Sequence, residues 1–416
     1  MKTAAAVLLT AVLAPLAGAQ QIAVETGVIN IEVPVRVFSG GAFVDDLKIG
    51  DFEILENGRP VPLDAVYLVR KRTVERSDEV RRFTPRTNRS FYLFFEISEF
   101  TPRLGSALEY FVRDVIMPGD SLTVVTPLKT YRLRAKAFEV RSRTEIVQQI
   151  TGLLRRDATL GGSGYRGVMA DLEDLAKTVG SALSQNLDPL ANSLSVSAST
   201  GSSSSNGSLR DYAIEDLLTR YETTLGMLEN QRSIDVQRLL GFPHTLKDDP
   251  DQKFVYMFYQ REYIPKIEPR ILYQYMDQFQ DRPTVNQIIT GIFDFYRRDI
   301  PFEIDAVKKA YADASVAIHF LLIAEPAPQS AGVVFREQSE DIFGAFREMA
   351  AASGGFTASS ANPLALMKDA VESSENYYLL YYVPRPYVKD GKFRSLVVRV
   401  KRPGVRVVHR MGYFAN

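Results

Sequence analysis

The chain has 416 residues, 45% of them apolar and 24% charged, and its 50 Lys and Arg residues balance 50 Asp and Glu residues. A formal net charge of zero argues against a general nucleic-acid-binding protein, which is normally basic. Because the chain has no cysteine, disulfides, thiolate catalysis and cysteine-ligated metals are all excluded.

The first 20 residues have the pattern of a secretory signal peptide. Lys2 gives a positive start, residues 4–13 are apolar, and Ala17-Gly18-Ala19 is a small-residue cleavage pattern. We predict a signal peptide over residues 1–19, cut before Gln20. Later apolar runs are too short to span a bilayer. We therefore expect an exported protein, periplasmic or extracellular, with no transmembrane segment after cleavage.

The next stretch alternates apolar and polar residues, which is typical of half-buried strands. Asn57-Gly58, between two short apolar runs, predicts a tight hairpin because both residues tolerate positive φ. We predict a small antiparallel, sandwich-like β module over residues 20–75, followed by a charged linker over residues 76–89. The residues expected on one face of its first strand are Ile29, Ile31, Val33, Val35 and Val37.

From residue 90 onward, buried strand-like runs alternate with amphipathic helical patterns. Such alternation favours a mainly parallel sheet covered on both faces. We predict an α/β, doubly wound, Rossmann-like domain over residues 90–416. A Ser-, Asn- and Gly-rich stretch predicts a flexible insertion at 186–208, and helical spacing predicts a helical insertion at 264–313. The strand runs are residues 91–95, 122–126, 254–259 and 316–323.

The first strand run predicts the position of a site. Glu96 and Ser98 directly follow it. In open α/β sheets, ligands bind outside the carboxyl ends of the strands. We therefore expect both residues near a binding site. Residues 158–167, ATLGGSGYRG, are glycine-rich and predict a flexible loop.

The order of these motifs resembles a von Willebrand factor type A (VWFA) domain, and more closely the exported bacterial proteins called VWFA-related, known from acidobacteria. The strand pattern alone is a weak signal, whereas the carboxyl-terminal pattern is fairly specific. The resemblance covers both ends and most of the middle. The matching segments are residues 41–58, 91–98, 117–124, 354–355, 377–384, 391–398 and 410–413.

The resemblance implies a Mg²⁺ site whose first loop reads Asp-x-Ser-x-Ser, with a Thr from a second loop and an Asp from a third. Here the first loop reads Glu96-x-Ser98-x-Phe100, and Gln260-Arg261 follow the third strand. Mg²⁺ requires near-ideal octahedral oxygen geometry. We therefore predict a degenerate metal-ion-dependent adhesion site that holds no cofactor. If a metal were retained, its ligands would be Glu96, Ser98 and Thr159.

The resulting prediction is a non-enzymatic, exported protein-binding or scaffold protein. Protein recognition would use the loops at the carboxyl ends of the strands, which we call the rim. Metal-dependent adhesion through the same loops is the first alternative. A structural part of an envelope assembly, depending more on the β module, is another. The rim residues are Glu96, Ser98, Glu99, Thr159, Ser163, Gln260 and Arg261.

An exported hydrolase is the alternative from a different class. It would use His244 with nearby carboxylates, under the helical insertion as a lid. His319 lies within a strand run and is expected to be a core histidine. No Gly-x-Ser-x-Gly motif is present to supply a nucleophile.

Overall fold

The computed structural model describes residues 29–187, 205–232, 236–247, 249, 251–278, 280–297, 304–330, 333–337 and 339–416. The predicted signal peptide, 1–19, lies outside the described residues, as does most of the predicted insertion 186–208. In chain order the strands are β1 Ile31–Ser39, β2 Ala42–Phe43, β3 Phe52–Glu56, β4 Arg59–Val61, β5 Ala65–Arg70, β6 Thr73–Glu79, β7 Arg89–Glu96, β8 Ser121–Val125, β9 Thr130–Leu133, β10 Gln252–Gln260, β11 Tyr263–Ile267, β12 Val316–Ile323, β13 Val333–Glu337, β14 Thr357–Ser360, β15 Asn376–Tyr382, β16 Phe393–Val400, β17 Arg406–His409 and β18 Gly412–Phe414.

Helices separate the strands between β7 and β15. They are α1 Pro102–Tyr110, α2 Ala135–Val140, α3 Arg143–Gly161, α4 Ser163–Leu187, α5 Ser205–Arg232, α6 Val236–Lys247, α7 Pro269–Gln278, α8 Pro283–Arg297, α9 Ile304–Asp313, α10 Ser339–Ser353 and α11 Pro363–Glu375. Within the described ranges, no helix combines the length and the apolar character needed to cross a membrane.

Two antiparallel sheets form a sandwich from both ends of the chain. One has the order β17-β1-β15-β5-β6, with β2 beside β1, and the other has the order β18-β16-β3-β4. Val33 and Val35 of β1 meet Ile54 of β3 and Val398 of β16 in the core between them. Of the residues predicted on one face, Ile31, Val33, Val35 and Val37 are buried, and Ile29 is half-buried just before β1. The alternation holds only for the first part of the strand, because Arg36 and Phe38 on the other face are buried too. The amino-terminal strands therefore share their sheets with carboxyl-terminal ones.

A third sheet has the order β14-β12-β10-β7-β8-β9 and is called the mixed sheet here. Its first five strands run parallel to one another, and the edge strand β9 is antiparallel. Helices α1, α3 and α11 cover one face, packing on Phe91, Leu93 and Phe95. Helices α6, α9 and α10 pack on the other face near Val255 and Met257.

A separate apolar core joins α4, α5, α7 and α8 with the β11–β13 ribbon, and we call this unit the helical arm. Its centre is Tyr221, whose hydroxyl lies 2.7 Å from that of Tyr296 and donates to the carbonyl of Pro265 at 3.1 Å. The predicted helical insertion, 264–313, contains α7, α8 and α9. Of these, α9 packs on the mixed sheet.

The prediction of a mainly parallel, doubly wound, Rossmann-like fold is wrong. Among the described residues, 12 of the 18 strands lie in antiparallel sheets, and only the mixed sheet contains parallel pairs. The misleading signal is burial on both faces, which we took as the mark of parallel strands. In β15, Tyr378 and Leu380 face the sandwich core, whereas Tyr377 and Leu379 face a second apolar cluster.

His319 of β12 is in the core, as predicted. It is 1% exposed, and its ring stacks on Tyr256 with centroids 4.9 Å apart. In the described part of the chain, neither ring nitrogen has a hydrogen-bond partner. Burial, reinforced by the charge of Arg36, holds the pKa of His319 well below its usual value. The folded protein therefore keeps this imidazole neutral.

We expect His319→Phe to reduce the loss of stability in acid. Because the folded pKa of His319 is depressed, the unfolded chain binds a proton more readily. The free energy of unfolding should therefore fall as the pH drops below about 6.5, by at most about 1.4 kcal/mol per pH unit. A phenyl ring keeps the stacking and removes the titration. Urea unfolding of both proteins at pH 7.5 and pH 5 measures the difference.

The matched control is His244→Phe, because His244 lies exposed on α6. Its pH dependence should follow that of the unmodified chain. If His319→Phe and the unmodified chain lost the same stability between the two pH values, His319 would not be the group responsible. His409, whose pKa burial also lowers, would remain as the alternative source.

Candidate functional site

The parallel register of the mixed sheet brings two predicted loops together. Glu96, the last residue of β7, pairs with Tyr259 of β10, and Gln260 pairs with Ile323 of β12. The loop that follows β7 therefore lies beside the end of β10, as the sequence predicts for parallel strands. Ser98, Glu99 and Gln260 meet at this edge.

The carboxamide of Gln260 is the centre of the rim. Its oxygen accepts hydrogen bonds from the Ser98 backbone N–H at 3.0 Å, the Ser98 hydroxyl at 3.2 Å and the Glu99 N–H at 3.1 Å. Its nitrogen donates to Glu325 Oε1 at 2.7 Å. Backbone N–H groups can only donate, so the oxygen of the amide must face them. Gln260 is 5% exposed, and its hydrogen bonds hold together the loops that follow β7, β10 and β12.

Arg166, at the start of α4, also holds the loop that follows β7. Its guanidinium donates to the carbonyl of Ser98, and also to the carbonyls of Thr159 at 2.6 Å and Ala158 at 3.4 Å. A Cβ atom on Gly162 would lie 2.4 Å from the Ser98 carbonyl oxygen. The α3–α4 junction therefore packs directly on the first loop of the rim, and only glycine fits at position 162.

The prediction of a flexible glycine-rich loop at 158–167 is wrong. Helix α3 runs to Gly161 and α4 begins at Ser163, so a single residue separates them. The Thr159 hydroxyl donates to the Arg155 carbonyl at 2.8 Å, and the Ser163 hydroxyl donates to the Leu160 carbonyl at 2.7 Å. Both side chains are exposed; Thr159 bonds within α3, and Ser163 bonds back from α4 to the end of α3. Sequence reasoning missed Arg166 because the glycines around it were interpreted as a loop.

The rim residue Arg261 and the neighbouring Phe100 face other partners. Arg261 forms an ion pair with Glu337 of β13, with 2.8 Å between Nε and Oε1. Its backbone N–H donates to the Ile323 carbonyl at 3.0 Å. Phe100 packs against the helices that cover the mixed sheet, and the Arg155 guanidinium lies 5.1 Å from its ring centre. Arg261 therefore connects the rim to the ribbon of the helical arm.

These residues do not fit a Mg²⁺ site. The position expected for a third-loop carboxylate is occupied by the Gln260 amide, and Phe100 offers no oxygen. Two guanidinium groups, of Arg166 and Arg261, add positive charge to the same loops. Among the described residues, no group of three or more His, Cys, Asp and Glu side chains could hold a metal ion.

A large cleft opens beside the rim, with a volume of about 1020 Å³. Its floor is the face of the mixed sheet that carries Tyr92, Phe94 and Tyr259, and Glu96 and Ser98 lie at its mouth. Phe242 of α6 forms a wall, with its ring centre 4.8 Å from that of Phe94. Ligand pockets usually measure roughly 300–1,000 Å³. The cleft is therefore wide enough for a peptide segment or a side-chain cluster.

Charged groups of both signs line this cleft. Asp249 accepts a hydrogen bond from the Tyr92 hydroxyl at 3.1 Å, and burial with that carboxylate raises the pKa of Tyr92. Arg132 and Arg134 extend from the β9 side, where Arg132 is exposed. An apolar floor with charged edges is the usual composition of a protein-recognition surface.

The histidines lie apart from this cleft and from one another. His244 is exposed on α6 and is not among the residues that line the cleft, whereas His319 is buried in β12. His409 Nε2 accepts the Val398 N–H at 3.2 Å, so its Nδ1 donates to the Arg410 carbonyl at 2.8 Å. This geometry gives the hydrolase alternative no acid–base pair centred on His244 in the described part of the chain.

We compared the chain with protein-family models, with curated proteins and with solved structures, and none of them matched.

We expect Gln260→Leu to destabilise the protein by about 1–3 kcal/mol. The substitution leaves two backbone N–H groups and the Ser98 hydroxyl, all partly buried, without the acceptor that the buried Gln260 supplies, and donors left unsatisfied in this way cost about that much in total. Urea unfolding measures the change. Gln149→Leu, at an exposed position on α3, is the control and should change stability by less than about 0.5 kcal/mol. Equal effects of the two substitutions would contradict the role given to Gln260.

Proposed function

We propose that this chain is an exported, non-enzymatic protein-binding or scaffold protein related to the VWFA-related proteins. It recognises a protein partner through the rim and the adjoining cleft. Its adhesion site is a degenerate one, in which protein groups replace the bridging metal. Export is inferred from the pattern of residues 1–19 alone.

The observation that carries this proposal is the bonding of Gln260. A metal-ion-dependent adhesion site uses a cation to hold its loops and to present an open position to a partner carboxylate. Here one carboxamide holds Ser98, Glu99 and Glu325 together. A neutral amide stabilises the loops without divalent charge. Recognition then depends on the exposed groups around it and on the cleft.

The exposed groups of the rim suit protein recognition. Glu99, Thr159 and Ser163 are all exposed, and each lies on or beside an element that Gln260 or Arg166 fixes in place. Surfaces whose backbone is held before binding lose less entropy on association. Aromatic residues are enriched at the energetically dominant positions of interfaces, and the cleft supplies Tyr92, Phe94 and Tyr259.

Metal titration separates this proposal from metal-dependent adhesion. We expect no saturable binding when Mg²⁺ or Mn²⁺ is added up to millimolar concentration, measured by isothermal calorimetry and by thermal unfolding. Glu96→Ala should give the same result as the unmodified chain. Saturable binding that Glu96→Ala abolishes would contradict the proposal and establish a working adhesion site.

Photo-crosslinking in the cell envelope tests the rim itself. We expect a photoreactive amino acid at position 99 to give a discrete protein adduct that persists in EDTA. The same amino acid at position 389, an exposed turn of the sandwich, is the control and should give none. An adduct lost in EDTA would favour metal-dependent adhesion. An adduct at position 389 alone would favour an assembly role for the sandwich.

A further inference from the structure

A small cavity lies where strand β1 of the sandwich meets the mixed sheet, apart from the rim and the large cleft. Its volume is about 20 Å³, which is roughly the space for one water molecule or one monatomic ion. Three basic side chains line it, those of Arg36, Lys253 and Arg410. Each of the three is more than nine-tenths buried.

Arg36 enters this cavity from β1. One of its terminal nitrogens donates to the Gly354 carbonyl at 2.8 Å, and its guanidinium lies 5.9 Å from the centre of the Phe254 ring. Within the described ranges, its Nε has no hydrogen-bond partner. Among the described residues, the Arg36 guanidinium therefore meets a neutral carbonyl and an aromatic ring and forms no ion pair with a carboxylate.

Arg410, next to β17, is arranged in the same way. Its terminal nitrogens donate to the carbonyls of Glu32 at 2.6 Å and Ala312 at 3.4 Å. Its Nε also has no partner among the residues described. Lys253 donates to the Asp249 carbonyl at 2.7 Å, which is again a neutral acceptor. Burial lowers the pKa of all three side chains.

Two carboxylates that act on Arg410 are engaged elsewhere. Asp313 forms an ion pair with Lys247 at 2.8 Å, and Glu32 is held by neutral donors. Both oxygens of the Glu32 side chain accept hydrogen bonds, one from the Tyr381 hydroxyl and one from the Gln252 amide. Arg89 is a buried arginine that, by contrast, has a carboxylate partner. It pairs with Asp120 at 2.6 Å, and both side chains are almost fully buried. Arg36 and Arg410 have no such ion pair in the part of the chain described.

We propose that this cavity binds one small monovalent inorganic anion, of the size and charge of chloride. Buried charges are stable when they are paired, and none of these three cations forms an ion pair with a carboxylate in the described part of the chain. Glu32, Asp249, Asp251 and Asp313 act on Lys253 or Arg410 only at longer range, and no carboxylate acts on Arg36. The volume admits a monatomic ion and is too small for sulfate or phosphate. The bound anion holds β1 and the segment before β18 against β10 and β12, so it stabilises the contact between the two sheet systems.

The test compares unfolding of the purified chain in sodium chloride and in sodium gluconate at equal ionic strength. Gluconate is too bulky for the cavity. We expect the unfolding midpoint to rise with chloride concentration as a binding curve, since a ligand that binds only the folded state stabilises it. Bromide should act in the same way. Crystals grown in bromide should show an anomalous-scattering peak beside Arg36 and Arg410.

The chloride response should disappear in Arg36→Met and in Arg410→Met. Ala317→Val narrows the cavity without removing a charge, so this substitution should weaken the chloride response. It also provides a variant that keeps the fold. Arg399→Met, at an exposed position on β16, is the control and should keep the response. Equal midpoints in the two salts, a response that persists in Arg36→Met, or the absence of a bromide peak would overturn the proposal.

Discussion

Strand β15 is the constraint on which the sandwich depends. It lies between β1 and β5, so it satisfies the backbone hydrogen bonds of two amino-terminal strands at once. Its tyrosine side chains also form hydrogen bonds that hold neighbouring segments in place. The Tyr378 hydroxyl donates to the Val44 carbonyl at 2.9 Å and accepts the Leu47 N–H at 3.1 Å, whereas the Tyr382 hydroxyl donates to Glu56 at 2.5 Å. Without β15, the two halves of this sheet would have no common partner.

The rim also depends on a fixed framework, that of the mixed sheet. The register of β7, β10 and β12 sets which loop residues meet, and buried groups then fix the loops. Gln260 bonds them from within the sheet, and Arg166 bonds them from the helical arm. The loops are therefore positioned by protein atoms on both sides. Exposed residues such as Glu99 are presented on a backbone that is already ordered.

Much of the local structure could be predicted from the sequence, and the assembly of the sheets could not. The apolar run at 91–95 forms β7, and the run at 254–259 lies in β10, because both strands are buried in the mixed sheet. In β5 the same kind of run belongs to an antiparallel sheet covered on both faces. One-dimensional burial patterns do not distinguish these cases, because they record burial and not strand direction.

At the candidate site, too, some contacts could be predicted from the sequence and others could not. Ser98 and Gln260 meet as predicted because strand ends in a parallel pair share an edge. Thr159 and Ser163 do not lie in a loop, since the packing of Gly162 and Arg166 on the Ser98 carbonyl outweighs the turn preference of these glycines. Arg166 gives no sequence signal for its role, because its three carbonyl partners are set by how α3 and α4 pack.

The topology of the sandwich has a consequence for how the chain folds. Val44 and Tyr378 are separated by 334 residues, yet they are in direct contact. Contacts of such high sequence separation slow folding, because the chain must close a long loop before the contact is gained. The strands near the amino terminus cannot complete their sheet until the last 40 or so residues have been synthesised. The mixed sheet, whose last strand ends at Ser360, has no such dependence, so the sandwich is the last part of this fold to be completed.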